Sequence, residues 1–421
     1  MLCAAAPSGR AHVESVAHAR SLLRHDISRC VRTQVGIVGA GPAGLTLALM
    51  LERSGIESVV LESRSREYVE QRVRAGLLEH NTVELLHELG VGERLAREGL
   101  EHHGIYLRRP GHTQHLAMTE LTGRSITIYG QQEVVKDLIA ARLRGSEALH
   151  FEVSDTAVHD LESRQPRVSY LHEGDRHELQ CDLIAGCDGF RGVCRSSIPT
   201  GVLNEHELVY PFSWLGILAE APPATDELIY AWHERGFALY SMRSSQISRL
   251  YLQVGTDERI EEWPDERIWA ELQLRLASED RRVNEGPVIE KSITPVRSFV
   301  CEPLRHGNLF LLGDAAHIVP PTGAKGLNLA INDVRLLAGA IADFYATGSS
   351  AALGAYSETA LRRVWRAQDF SNYMTQLLHD LGGDPFQRRL QLARLDYLER
   401  SHAAALSLAE NYVGLPATPD F

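Results

Sequence analysis

One glycine-rich segment and a later acid carry the residue types that hold a dinucleotide. The segment, residues 39–44 (GAGPAG), directly follows an apolar strand predicted at residues 35–38. Gly39 permits a tight turn, Gly41 lets the backbone approach a pyrophosphate, and Gly44 lets the next helix pack on the strand. Backbone amides and the positive end of that helix would hold the phosphates. Glu62 ends the next predicted strand, at the expected place for an acid that binds ribose hydroxyls.

Two later motifs narrow the dinucleotide to FAD. Residues 187–192 read CDGFRG, and residues 313–328 read GDAAHIVPPTGAKGLN after a strand predicted at 309–312. That strand delivers the acceptor carboxylate of Asp314 to a loop, where it suits a ribityl hydroxyl. Gly323 and Gly326 would let backbone amides and a helix start face a flavin ring. The three motifs together predict a chain that binds FAD along its length and uses it chemically.

Composition agrees with an enzyme of the cytoplasm. The chain has 421 residues, enough for two or three domains, and its formal net charge of -12 offers no attraction to nucleic acid or an anionic membrane. No apolar run approaches the roughly 18 residues of a membrane span. Six cysteines without paired metal spacing or disulfide density suit a reducing compartment and predict no metal site.

The order of predicted elements indicates a mixed α/β chain. Residues 1–32 lack sustained periodicity and are predicted to be a disordered extension. Residues 33–204 are assigned to a doubly wound FAD-binding domain, to which residues 301–330 return. Short alternating segments in residues 205–300 predict an inserted antiparallel β-sheet substrate domain. Residues 331–421 are predicted to form a helical C-terminal region.

Further blocks resemble the 4-hydroxybenzoate 3-monooxygenase family of flavoprotein aromatic hydroxylases, over about residues 33–416. Those blocks are residues 72–76 (RVRAG), 129–131 (YGQ), 210–216 (YPFSWLG), 290–293 (EKSI), 313–328 and 410–416 (ENYVGLP). The resemblance implies that 4-hydroxybenzoate is hydroxylated at C3 to 3,4-dihydroxybenzoate through a flavin C4a-hydroperoxide, with O2 and NADH or NADPH. It also implies a homodimer.

The same resemblance implies a role for individual residues. The FAD contacts would be Gly39, Gly41, Ala43, Gly44, Glu62, Arg72, Val73, Arg74, Ala75, Gly76, Leu77, Gln131, Asp188, Arg249, Asp314, Leu327 and Asn328. The substrate would meet Tyr230, Ser241, Met242, Arg243, Tyr251 and the carbonyl of Pro321. The phenol proton would pass from Tyr230 to Tyr412 and on to His102, so these three and Pro321 are the candidate catalytic residues. NAD(P)H would contact Arg64, Arg66, Tyr68, Arg74, Arg191 and Arg297.

These residue types suit the implied chemistry. Hydroxylation by an electrophilic oxygen needs an electron-rich ring, preferably a phenolate, whereas a free phenol has a pKa near 10. Two tyrosines conduct a proton but are poor final acceptors, so a histidine is a sensible terminus. A fixed guanidinium pairs with a carboxylate and sets the orientation of the ring.

Several alternatives remain open at this stage. From the residues alone, Tyr230 and Tyr412 are more commonly core tyrosines and His102 a surface histidine; only the resemblance favours a relay. The substrate could be another benzoate, such as 4-aminobenzoate or 3,4-dihydroxybenzoate. A flavin halogenase or reductase and a non-enzymatic partner-binding protein share the fold. Ser63 and Arg191 differ from the well-known family members, and we expect NADH to be used at least as well as NADPH.

Overall fold

The structure is a computed structural model that describes residues 29–74, 76–145, 148–276, 278 and 282–415. Ala75, a predicted FAD contact, lies outside these ranges, as do residues 1–28 of the predicted extension. Within the described residues, no helix combines the length and the apolar character that crossing a membrane requires.

Strands and helices alternate through most of the described chain. The strands are β1 Arg29–Arg32, β2 Val35–Val38, β3 Ser58–Leu61, β4 Leu77–Leu78, β5 Leu100–His102, β6 Ile105–Arg109, β7 His112–Leu116, β8 Ile126–Ile128, β9 Leu149–His150, β10 Ser154–His159, β11 Arg167–His172, β12 Asp175–Gln180, β13 Leu183–Gly186, β14 Asn204–Ala219, β15 Ile229–Ala231, β16 Ala238–Met242, β17 Ser248–Val254, β18 Val288–Glu302, β19 Arg305–His306, β20 Leu309–Leu311 and β21 His317–Ile318. The helices are α1 Pro42–Arg53, α2 Arg66–Gln71, α3 His80–Glu88, α4 Glu93–Glu98, α5 Met118–Thr122, α6 Gln131–Gly145, α7 Val193–Ser196, α8 Asp265–Leu276, α9 Gly326–Thr347, α10 Ala351–Leu378, α11 Pro385–Arg400 and α12 His402–Val413.

A six-stranded sheet forms the centre of the first predicted domain. Its order is β19-β20-β13-β2-β3-β9, and all neighbours are parallel except β19 and β20. Every residue of β2 and β3 is buried, as expected for strands covered on both faces. Helix α1 packs against α6 and α9. The predicted doubly wound α/β fold is therefore confirmed.

A four-stranded sheet of order β1-β12-β11-β10 corrects the predicted N-terminal boundary. Residues 29–32 were assigned to the disordered extension, but they pair in parallel with β12, where Val31 lies opposite Leu179. The extension prediction is wrong for these four residues. A strand held by backbone pairing to a partner some 150 positions later has no local periodicity to reveal it.

The second large sheet has eight strands in the order β21-β18-β14-β17-β16-β15-β6-β7. Residues 205–300 supply most of it, but β6 and β7 come from residues 105–116 and β21 from residues 317–318. All neighbours are antiparallel except β15 and β6. The sheet is therefore assembled from three segments of the chain.

The two faces of this sheet pack against different helices. Tyr240, Leu250 and Leu252 point to one face and join the cluster that includes α8. Tyr230 and Leu239 point to the other, where they pack with residues of α10 and α12. Because side chains alternate along a strand, Arg249 and Tyr251 share this second face with Tyr230. The face covered by α10 and α12 positions the predicted substrate residues.

Candidate active site

The first glycine motif forms a tight turn between β2 and α1. Gly39 has φ +107°, and a Cβ there would collide with the carbonyl oxygen of Cys187. A Cβ on Gly44 would collide with the carbonyl of Gly39, so both positions require glycine. At Gly41, by contrast, a Cβ would have no neighbour within 4 Å, so the backbone there is open to a ligand. Ala43 lies in the first turn of α1, whose amide groups lack helical partners.

Glu62 is fixed beside this turn. Its Oε2 accepts a hydrogen bond from the amide of Ala40 at 2.8 Å, and its Oε1 accepts one from the amide of Arg64 at 2.8 Å. Oε1 also accepts from the Ser63 hydroxyl at 3.3 Å, so it is Oε2 that keeps a lone pair for a further donor. This arrangement fits an acid that accepts from ribose hydroxyls.

Two aspartates, Asp188 and Asp314, follow the neighbouring parallel strands β13 and β20. Asp188 accepts from the amide of Cys194 at 2.9 Å, while its buried Oδ1 has no hydrogen-bond partner among the described residues. Asp314 is exposed to solvent on one side. Desolvation by its surroundings raises the pKa of Asp314, and His317, Arg74 and Arg72 oppose that rise. The unmatched acceptors fit a ligand rich in hydroxyl groups.

A buried ion pair holds the Asp314 loop in place. His317 Nε2 lies 2.7 Å from Asp333 Oδ2, which also accepts from the amide of Gly313 at 3.0 Å. Burial by itself lowers the pKa of His317, but the Asp333 carboxylate outweighs it and the net pKa is raised. His317 therefore orients the loop from inside the protein.

Asn328, in the first turn of α9, connects this helix to β4 and to the start of α3. Its Oδ1 accepts from the amide of Glu79 and the hydroxyl of Thr82, and its Nδ2 donates to the carbonyls of Leu77 and Ala324. These four bonds use the whole side-chain amide. Any FAD contact of Asn328 must therefore come from its backbone. The remaining predicted contacts are placed at α6 (Gln131), before β4 (Arg72, Val73, Arg74, Gly76) and in the first turn of α9 (Leu327).

The predicted carboxylate site is an unusually cationic part of the sheet. Ser241 lies directly opposite Arg249, and Arg249 Nε donates to Tyr251 Oη at 3.2 Å. Within the described chain, Arg243 Nε and Arg249 Nη1 are buried without a hydrogen-bond partner. Burial lowers the pKa of Arg243. Burial by itself would raise the pKa of Tyr251, but the positive charges of Arg249 and Arg243 outweigh this effect, so the net pKa of Tyr251 is lowered. Met242 is buried and its carbonyl accepts from the Ser241 hydroxyl and the Arg243 guanidinium.

Two buried tyrosines meet on the same face. Tyr230 and Tyr412 are 2% and 0% exposed, and their hydroxyl oxygens are 2.6 Å apart. Burial raises the pKa of both, so neither is stable as a tyrosinate. A proton can pass through this pair only if each hydroxyl gives up one proton as it receives another.

The other two predicted catalytic residues have less direct contacts. His102 ends β5 and is 1% exposed, and neither of its ring nitrogens has a hydrogen-bond partner in the described ranges. The structure therefore does not place His102 in direct hydrogen bonding with Tyr412. The carbonyl of Pro321 already accepts from the amide of Ala324 at 2.9 Å, which leaves one lone pair.

The comparisons with known proteins decide the family. Residues 32–371 match the family described as FAD binding domain. The chain belongs to this family. It is 48% identical over 389 residues to p-hydroxybenzoate hydroxylase of Acinetobacter baylyi, covering 92% of this chain and 96% of that protein. It is 27% identical to 3-amino-4-hydroxybenzoate 2-monooxygenase of Streptomyces cremeus, covering 73% and 78%.

Solved structures of flavin-dependent hydroxylases share the fold. p-Nitrophenol 4-monooxygenase of Pseudomonas putida superposes with a TM-score of 0.79 at 18% identity, covering 92% of this chain and all of that one. The family match and the 48% identical relative confirm the predicted FAD cofactor and show that the protein is an FAD-dependent aromatic hydroxylase.

The predicted nicotinamide residues of this FAD-binding protein lie at the surface in different environments. Arg64 stacks over the ring of Tyr68 at 5.4 Å, whereas Arg66 Nε is 2.6 Å from Glu70. Arg191 is exposed, and Arg297 pairs with Glu207 at 3.2 Å. The structure does not bring these residues into a single hydrogen-bonded cluster among the described positions.

Three residues that contact predicted site residues or their backbone were not singled out from the sequence. Glu79 forms a buried ion pair with Lys325 at 2.6 Å, and Lys325 also donates to the carbonyl of Tyr412 at 3.0 Å. A Cβ on Gly216 would press on Arg249 and Tyr251, so this glycine makes room for both. Glu227 binds the backbone segment after His102. Only Gly216 had a sequence signal, because it ends one of the resembling blocks.

Proposed function

We propose that the protein converts 4-hydroxybenzoate, O2, NAD(P)H and a proton into 3,4-dihydroxybenzoate, water and NAD(P)+. The substrate named by the 48% identical relative supports this choice. The observation that carries the proposal is a site with a cationic end and a tyrosine end on one sheet face. The first end needs an anion, and the second needs a weakly acidic hydroxyl.

The spacing of the two ends fits one para-substituted benzene ring. Tyr230 lies opposite Leu239, and Ser241 is two residues farther along β16. Strand spacing and rise place the backbones of Tyr230 and Ser241 about 8 Å apart. A carboxylate on Arg243 and a phenol at Tyr230 would therefore lie at opposite ends of the same ring.

The open face of Gly41, the carboxylate of Glu62 and the unmatched oxygen of Asp188 fit FAD. Bound at these residues, FAD would supply the redox chemistry that uses two electrons of the nicotinamide to activate O2, the source of the oxygen atom. The protein's part is to orient the ring through Arg243, to exclude water, and to remove the phenol proton. That proton moves to Tyr230 as Tyr230 gives its own to Tyr412.

The coenzyme proposal is that NADH serves at least as well as NADPH. Arg66 is engaged by Glu70, so it is less available for a 2′-phosphate. Arg64 has no carboxylate contact of that kind and remains the candidate cation, beside Ser63.

A substrate panel tests the proposed function. Purified, FAD-loaded protein is supplied with NADH or NADPH and with 4-hydroxybenzoate, 4-aminobenzoate or 3,4-dihydroxybenzoate, and coenzyme oxidation and products are measured. We expect 4-hydroxybenzoate to give one 3,4-dihydroxybenzoate per coenzyme oxidised, and the other two compounds to give no comparable turnover. Faster turnover with 4-aminobenzoate, or oxidation of the coenzyme without a hydroxylated product, contradicts the proposal.

We also propose a homodimer. Phe386 and Tyr397 on α11 are 67% and 62% exposed, and such rings are favoured at interfaces. Light scattering of a strict monomer at micromolar concentration would contradict this.

A further inference from the structure

The proposed proton route must end in water, but His102 lies inside the protein. Burial lowers the pKa of His102 to about 4, so its imidazole can pass a proton on but cannot keep one at neutral pH. Because His102 is also only 1% exposed, a proton that reaches its imidazole needs a further group to carry it to solvent. This reasoning rests on the proposed hydroxylation.

Glu227 holds the segment that follows His102. Its Oε1 accepts hydrogen bonds from the backbone amides of His103 at 2.9 Å and Gly104 at 2.7 Å. Its side chain is 13% exposed, and its charge acts on His102 without a direct hydrogen bond to either ring nitrogen among the described residues. Because Glu227 lies two residues before β15, the segment that carries Tyr230 also contacts the far end of the route.

His115 connects Glu227 to solvent. Its Nε2 lies 2.6 Å from Glu227 Oε2, and its side chain is 41% exposed. The ring packs on Gly104, where any Cβ would collide with His115 Nε2. Glycine at position 104 is therefore what lets this imidazole reach the carboxylate.

Other groups around His102 are less suited to the exit. Asp226 and His103 act on His102 electrostatically, and the Tyr106 ring lies 4.9 Å from that of His115. His103 is exposed, but its Nδ1 contacts Thr119 Oγ1 at 3.1 Å.

We propose that Glu227 and His115 form the exit of the proton route, carrying the phenol proton from His102 to water. One proton leaves the phenol oxygen and one leaves the exposed His115, so no charge accumulates along the route. Neither residue is placed in contact with substrate or flavin. They act through His102, as a relay and by positioning residues 102–104.

The test measures proton release directly. FAD-loaded protein is mixed with 4-hydroxybenzoate in weak buffer containing a pH-indicator dye, and release is followed by stopped flow. His115→Gln should release the proton about tenfold more slowly or worse, with an unchanged dissociation constant, and added imidazole should restore the rate. His112→Gln is the matched control, because His112 lies on the same strand and is 38% exposed. It should behave as wild type.

Glu227→Gln separates proton transfer from positioning, because its amide oxygen can still accept from the two backbone amides. We expect it to slow release as His115→Gln does. Wild-type release rates in both variants overturn the proposal, and slow release in His103→Gln alone assigns the exit to His103 instead. If the wild-type protein binds 4-hydroxybenzoate without releasing a proton, the proposed function itself fails, not only its exit.

Discussion

Replacing Arg243 with Gln should weaken substrate binding mainly through the loss of one charge pair. Arg243 Nε is buried and has no hydrogen-bond partner in the described chain, so an incoming carboxylate would satisfy a donor that water does not reach. Truncating one member of a desolvated pair costs about 2–5 kcal/mol. Arg249 remains on the adjacent strand, opposite Ser241, and offsets part of this loss. We therefore expect the lower end, about 2–3 kcal/mol, which is roughly a 30- to 150-fold rise in Kd.

The assay compares a charged and a neutral ligand. FAD-loaded wild type and Arg243→Gln are titrated with 4-hydroxybenzoate and with 4-hydroxybenzamide, following the flavin absorbance. The amide lacks the negative charge, so its Kd should change little between the two proteins. Arg267→Gln, an exposed arginine of α8 that pairs with Glu258, serves as the control for a general loss of charge.

The free protein should tolerate this substitution. Burial lowers the pKa of Arg243, which means that its charged form is held at a cost in the absence of an anion. Arg243→Gln should therefore melt at the same temperature as wild type or higher. Equal losses for the acid and the amide, or an unchanged Kd for 4-hydroxybenzoate, would show that the carboxylate is bound elsewhere.

Three further predictions address the relay, the loop and the coenzyme. Tyr230→Phe should still bind FAD and 4-hydroxybenzoate but slow hydroxylation roughly a hundredfold or more, with most reducing equivalents appearing as hydrogen peroxide; full product per coenzyme would refute the relay. Asp333→Asn should destabilise the protein by about 3–5 kcal/mol at low pH, because it breaks a buried ion pair. The pKa of His317 is raised in the folded protein, so this stabilisation is complete below about pH 6.5, the pKa of the unfolded state, and declines as pH rises through the folded pKa. Denaturant unfolding at a series of pH values should therefore show that the difference in stability between wild type and Asp333→Asn shrinks as pH rises. Arg64→Ala should lower kcat/KM for NADPH more than for NADH, whereas Arg66→Ala, whose guanidinium pairs with Glu70, should change both little; the reverse order would reassign the phosphate site.

The sequence by itself determined the parts of the protein whose physics is local. Gly39 and Gly44 are required by a turn of six residues, and the position of Glu62 is set by the end of the next strand. Their roles could therefore be predicted from short stretches of sequence. Strands 35–38 and 58–61 were predicted at their observed limits, because wholly apolar runs between turn residues have few other solutions. The resemblance then supplied candidates such as Arg243 and Tyr412, which periodicity alone would have left as ordinary strand and helix residues.

Tertiary structure decided what depends on pairing between distant segments. The strands of residues 105–116 join the substrate sheet through β15, more than 110 positions later, and this pairing places Gly104 and His115 beside Glu227. The ion pair of Glu79 with Lys325 spans 246 positions. Alternation along a strand fixes which side chains share a face, but strand register fixes which of them meet, and register follows from the packing of the whole sheet. That is why the sequence indicated the chemistry of this site, while only the fold revealed that Arg243 Nε is buried without a hydrogen-bond partner in the described chain and that His102 is enclosed.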